Sequence, residues 1–104
     1  MIGTSAEGRR LFAFFVGSHA APIGICQYAM HAREWVTALL AIEHVKRGIP
    51  RGGVWFVPLV NPDGAAIVQS GRIGCEDWKA NAESVDLNVN FPARWGSGKK
   101  NVFS

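Results

Sequence analysis

The sequence predicts an α/β fold, and three observations carry that prediction. Short apolar runs rich in branched and aromatic residues recur at residues 10–17, 23–30 and 53–60. An amphipathic stretch of helical length separates the second run from the third. Turn residues stand at each junction. A strand, a helix and a strand in this order make a βαβ-like crossover.

The elements follow in order. RLFAFFVG at 10–17 and IGICQYAM at 23–30 read as strands joined by the Ser18-His19-Ala20-Ala21-Pro22 turn, and so as neighbours in the sheet. From 34 to 46, Val36, Leu39, Leu40, Ile42 and Val45 fall at spacings of three, one, two and three and read as an amphipathic helix, and Gly48 and Pro50 supply the stop. GVWFVPLV at 53–60 is the third strand, ended by turn chemistry at Asn61-Pro62-Asp63-Gly64. Ala65 to Ser70 reads as a helical turn. Residues 71–104 read as mostly loop, with a short extended piece at 85–87. The chain contains no repeat and no low-complexity tract.

Bulk composition narrows the function classes. At 104 residues the chain is one domain at most, and 48% hydrophobic with 18% charged residues is the composition of a folded protein. Eleven Lys and Arg against eight Asp and Glu give +3, spread without a basic cluster, so no nucleic-acid partner is expected. Cys26 and Cys75 sit in unlike settings and read as free thiols. No apolar stretch is long enough to span a membrane, and the run at 11–16 is too short for a signal-peptide core. No membrane partner is expected, and a cytoplasmic location is slightly favoured. Oligomeric state is not readable.

In open α/β sheets, chemistry gathers in loops at the carboxyl ends of strands. His31-Ala32-Arg33-Glu34 and Asn61-Pro62-Asp63-Gly64 are both such loops. Side chains three apart on a helical turn have Cβ atoms about 5–6 Å from one another, and zinc takes nitrogen and oxygen ligands at about 2 Å. His31 and Glu34 thus suit one metal. The same spacing suits a helix N-terminus with an acidic residue favoured by the dipole, so alone it leaves both readings open. The other histidines do not complete the pair. His19 lies at the far end of a strand, more than about 20 Å away at roughly 3.3 Å per residue, and His44 lies about 20 Å along a helix.

HAREW at 31–35, NPDG at 61–64, Trp78-Lys79, DLNVNF at 86–91 and Trp95-Gly96 occur in one order. This set resembles the zinc carboxypeptidases of the carboxypeptidase A type, from about Leu11 to about Phe103. The resemblance implies part of a mixed-sheet zinc carboxypeptidase (phosphorylase/hydrolase-like) fold, truncated at the C-terminal side. It implies Zn2+ as cofactor, a peptide as substrate, and His31 and Glu34 as the first two metal ligands. It further implies that Arg33 binds substrate and that Asn88 holds the substrate's terminal carboxylate. Asn61, Asp63 and Asp86 read mainly as braces behind the metal, with Asp63 also suited to support a zinc-bound histidine.

Two positions depart from the family's pattern. Val89 replaces the arginine that clamps a terminal carboxylate, and valine cannot bind an anion, so selection of a free acid requires another cation. Lys79 replaces the arginine that polarises the scissile carbonyl. It keeps the charge and loses the planar fork. These changes point to a divergent branch acting on unusual peptides, such as those of cell walls.

The family's third ligand, a histidine, and its general base, a glutamate, lie downstream of the DLNRNF motif. The expectation is therefore that residues 1–104 form the N-terminal portion of a single zinc carboxypeptidase catalytic domain, inactive in isolation and weak in zinc binding. The alternative is a non-catalytic peptide- or metal-binding pseudoenzyme module.

Overall fold

The computed structural model describes residues 1–97; residues 98–104, included in the single-domain expectation, lie outside the described residues. Two short strands, β1 (Gly3–Thr4) and β2 (Arg10–Leu11), pair antiparallel as an N-terminal hairpin. The strand expected at 10–17 is thus broken. Its second half is β3 (Phe14–Gly17), which belongs to a different, three-stranded sheet with β4 (Ile23–Gln27) and β5 (Gly53–Val57).

The sheet order is β3-β5-β4, antiparallel between β3 and β5 and parallel between β4 and β5. The sheet is mixed, as expected, but the first two strands are not neighbours. β5 inserts between them because the crossover helix α1 (Thr37–Arg47) returns the chain parallel to β4. Close backbone approach at the β3 end helps to set this order. Gly17 has φ +103°, and a Cβ there would stand 2.4 Å from the Gly52 carbonyl oxygen, so only glycine serves.

The helix α1 begins at Thr37, after a 3-10 turn at Ala32–Glu34 that occupies part of the span expected to be helical. It ends at Gly48, which has φ 72°, a sign of φ that glycine adopts without cost. Ala41 is buried, and His44 packs edge-on against Phe56 with ring centres 5.3 Å apart. A second helix, α2 (Pro62–Gln69), starts inside the segment read as a turn. The turn residues are its start signals. Asn61 is the N-cap, accepting the Gly64 N–H at 2.9 Å, and Pro62 sits where its missing N–H costs nothing. The extended piece expected at 85–87 is absent among the described residues. A 3-10 turn, Leu87–Val89, forms there instead, capped by Asp86.

The core is narrow: Phe56 and Val57 are its large apolar members, joined by Ala29, Ala32, Ala41, Ala65 and Ala80 and by three buried polar residues, Asn61, Asp63 and Asp86. On the sheet face holding Ile25 and Trp55, partners in the β4–β5 register, the two side chains are 64% and 40% exposed. Cys26 and Cys75 are free thiols, and no described helix is long and apolar enough to cross a membrane.

Candidate active site

The site is built where β4 and β5 end. Tyr28 N–H donates to the Val57 carbonyl at 3.0 Å, and Val60 N–H donates to the Tyr28 carbonyl at 3.0 Å, so both strands leave the sheet together. Ala29 then takes φ 53°, a left-handed conformation that costs an L-residue about 1–2 kcal/mol. The surroundings hold it there: its N–H donates to Thr37 Oγ1 at 2.8 Å and its carbonyl accepts the Asn61 N–H at 3.1 Å. The bend sends the chain out of the sheet plane. His31 follows as the N-cap of the Ala32–Glu34 turn.

That turn is stitched to the loop bearing Lys79. Ala32 N–H donates to the Lys79 carbonyl at 3.0 Å and Arg33 N–H to the Trp78 carbonyl at 2.9 Å. From the other side, Asn61 Nδ2 donates to the Ala80 carbonyl at 3.1 Å. Gly64 sits where these segments meet. A Cβ there would lie 2.5 Å from Asn61 Nδ2, 2.7 Å from Ala32 Cβ and 2.7 Å from the Ala80 oxygen. The glycine of the NPDG segment is therefore needed for close approach of α2 to the His31 turn and not for a positive φ.

Among the expected site residues, His31, Glu34 and Lys79 come together. His31 Nδ1 lies 3.1 Å from Glu34 Oε2, and His31 Nε2 lies 3.3 Å from Asp86 Oδ1. Lys79 Nζ lies 3.0 Å from Asp86 Oδ2. Asp86 is fully buried and links the two. Its contacts with His31 and Lys79 are ion-pair contacts rather than aligned hydrogen bonds, while its Oδ1 accepts the Asn88 N–H at 3.1 Å. Burial pushes the Asp86 carboxyl up, but the Lys79 ammonium, the Asn88 N–H and His31 outweigh it and hold the group below the usual carboxylate range. It stays ionised.

An ionised, buried Asp86 flanks the imidazole. His31 Nε2 faces that carboxylate without an aligned hydrogen bond, and His31 Nδ1 lies 3.1 Å from Glu34 Oε2, where the ring tautomer decides which atom donates. With the ring proton on Nε2, Nδ1 and the Glu34 carboxylate are both acceptors and suit a shared metal ion. Ligands of a tetrahedral zinc at about 2.0–2.2 Å stand about 3.3–3.6 Å apart, a few tenths of an ångström more than the 3.1 Å between His31 Nδ1 and Glu34 Oε2. No third His, Cys, Asp or Glu joins them among the described residues.

The remaining expected residues lie elsewhere. Asn88 and Val89 line a separate cavity of about 260 Å³ just past Asp86. Arg33, between His31 and Glu34 in the sequence, is exposed and is not part of that cavity. Asp63 does not support His31. Its carboxylate accepts from Ser5 Oγ at 2.7 Å, Glu7 N–H at 3.0 Å and Arg9 Nη1 at 2.8 Å, and so ties the N-terminal hairpin to α2. The residue beside His31 is Asp86, read from sequence only as a brace. Its signal is a lone acid between Val85 and Leu87, which marks a buried carboxylate needing partners. The other two histidines are occupied elsewhere: His19 stacks on Phe15 with ring centres 3.8 Å apart, and His44 Nδ1 lies 2.6 Å from the Tyr28 hydroxyl.

Comparison with known proteins adds to this geometry. The sequence profile of the zinc carboxypeptidases matches residues 1–103. Metallocarboxypeptidase A of Trichophyton tonsurans is 30% identical over 115 residues, covering 89% of this chain and 27% of that protein. Gamma-D-glutamyl-L-diamino acid endopeptidase 1 of Lysinibacillus sphaericus is 30% identical over 129 residues, covering 90% of this chain and 32% of that protein. The chain thus spans about a third or less of the length of these relatives. The crystal structure of carboxypeptidase A from Helicoverpa armigera superposes with a TM-score of 0.77 at 24% identity over 96% of this chain and 30% of that one, a likeness of fold.

Proposed function

Because this chain belongs to the zinc carboxypeptidase family, we propose that it supplies the first half of the active site of a zinc-dependent peptide hydrolase. Residues 1–104 are read as the N-terminal portion of one catalytic domain. The observation that carries the reading is the juxtaposition of His31 Nδ1 and Glu34 Oε2 at 3.1 Å, with Asp86 on the far side of the ring. His31 and Glu34 would hold the zinc. Zinc in such a site activates a water and polarises a carbonyl.

The chain's own residues do the positioning. Asp86 fixes the imidazole tautomer, and Lys79 neutralises Asp86 so that the carboxylate stays ionised without leaving an uncompensated buried charge. Lys79 reaches a substrate carbonyl only by leaving Asp86; in the state described its ammonium steadies the ligand's support. Asn88, exposed beside the cavity, has an amide able to donate to a substrate oxygen. Arg33, exposed and between His31 and Glu34 in the sequence, is a cation available to the substrate. The substrate is a peptide, and the relatives include both a metallocarboxypeptidase and a gamma-D-glutamyl-L-diamino acid endopeptidase. Val89 in place of a clamping arginine leaves the selection of a free carboxylate to another cation. A cytoplasmic setting, in which Cys26 and Cys75 stay free thiols, is the compartment this reading favours.

The test is hydrolysis of short peptides by the full-length protein, with and without a chelator, in the native protein and in His31→Ala and Glu34→Ala. Turnover lost on chelation, restored by zinc and absent in both variants supports the reading. Binding of peptide or metal without turnover supports a non-catalytic module instead.

A further inference from the structure

Within the proposed peptide hydrolase, on which this inference rests, the cavity past Asp86 holds a cation that the motif pattern does not supply. Asn88 and Val89 line it, and so does Arg94. We propose that Arg94 is the specificity-determining residue that pairs with a substrate carboxylate, in the role that Val89 cannot fill.

Three observations place it there. The first is position: Arg94 lines the same cavity of about 260 Å³ as Asn88, the one expected substrate-binding amide. The second is availability. The guanidinium makes no ion pair with a described residue, although six other pairs form among the described residues, and the side chain is exposed. A planar fork without an acidic partner, beside an amide donor, is a receptor for a carboxylate. The third is backbone geometry. Arg94 has φ 55°, a left-handed conformation that a long side chain adopts at a cost and glycine adopts freely.

The cavity is also tied to the metal pair. Asp86 Oδ1 faces His31 Nε2 at 3.3 Å and accepts the Asn88 N–H. The Asp86 carbonyl accepts Asn90 Nδ2 at 2.8 Å, and Asn90 Oδ1 accepts the indole N–H of Trp95, the residue after Arg94, at 3.0 Å. A chain of contacts therefore runs from His31, through its ion-pair contact with Asp86 and the hydrogen bonds of Asn90, to Trp95 beside Arg94.

The experiment is a binding measurement on the full-length protein, which needs no turnover. The probes are an N-acetylated tripeptide with a free C-terminal carboxylate and the same peptide as its amide. The variants are Arg94→Lys, which keeps the charge and loses the fork, and Arg94→Gly, which suits φ 55° and so folds. The native protein is expected to bind the free acid at least about tenfold more tightly than the amide, since hydrogen bonds to charged groups are the strong ones. Arg94→Gly brings binding of the free acid down to the level of the amide, and Arg94→Lys retains part of the preference. Equal binding of acid and amide by the native protein, no binding of either, or an acid preference that survives in Arg94→Gly overturns the proposal. Loss of hydrolysis with the acid preference intact refutes the zinc peptidase reading and not the assignment of Arg94.

Discussion

Replacing Gly64 by alanine separates two accounts of the same residue by the sign of its effect. Gly64 lies within α2, and helix propensity alone predicts that alanine stabilises the chain by about 0.8–1.0 kcal/mol. The structure predicts the reverse. The added Cβ would stand 2.5 Å from Asn61 Nδ2 and 2.7 Å from both Ala32 Cβ and the Ala80 oxygen, where non-bonded atoms settle at about 3.5–4.0 Å. Asn61 cannot swing away freely, because its amide caps α2 through the Gly64 N–H and holds the Ala80 carbonyl. Overpacking costs about 1–3 kcal/mol, and losing one of the Asn61 bonds about 1 kcal/mol more. Less the propensity gain, the net is a destabilisation of about 1–3 kcal/mol. Urea denaturation of the native chain, Gly64→Ala and Gly3→Ala measures it; a Cβ at Gly3 would meet nothing within 4 Å, so that variant serves as the control. A neutral or stabilising Gly64→Ala refutes the claim that this glycine exists for close approach beside His31.

Two other outcomes are expected. Burial pushes the Asp63 carboxyl up, but Ser5, Arg9 and the Glu7 N–H hold it below its ordinary value. The folded form therefore binds this proton less readily than the unfolded one, and Asp63 stabilises the fold above about pH 4, an effect lost as pH falls through the lowered value. Asp63→Asn should cost about 1.5–3 kcal/mol at neutral pH and flatten the acid limb of stability against pH, as followed by urea midpoints; an unchanged slope would contradict this. Asp86→Asn should weaken zinc binding about 10- to 100-fold by releasing the His31 ring, read by competition with a chromogenic chelator. Affinity within about twofold of native would show that Asp86 does not support the ligand.

The crossover was legible because hydrophobic period and stop signals are local, and the Gly48 stop sits where the sequence puts it; the apolar residues of the helix do not, since Val36, Leu39, Leu40 and Ile42 are more than half exposed and α1 buries Ala41. The strand order was not. That β5 separates β3 from β4 depends on where the crossover returns the chain, a non-local matter on which the turn at 18–22 points to the wrong neighbour. The NPDG segment showed its chemistry without its context, since cap, proline and glycine serve a turn and a helix start equally well. Of the site, His31 with Glu34 and Asn88 with Val89 were visible as motif positions, and Lys79 as a departure. The link between them was not. Asp86 and Arg94 gain their meaning only from the loop packing that brings Trp78, Lys79 and Asp86 to the His31 turn and folds Trp95 back onto Asn90.

In the proposed site, His31 presents Nδ1 to a metal shared with Glu34 while Asp86 keeps the proton on Nε2. Nitrogen-15 NMR of the histidine rings during zinc titration tests this most directly. Weak binding to the 104-residue chain is expected to shift His31 Nδ1 as a coordinated nitrogen, leave Nε2 protonated, spare His19 and His44, and be lost in Glu34→Gln. Coordination through Nε2, or a titration unchanged in Glu34→Gln, would contradict it.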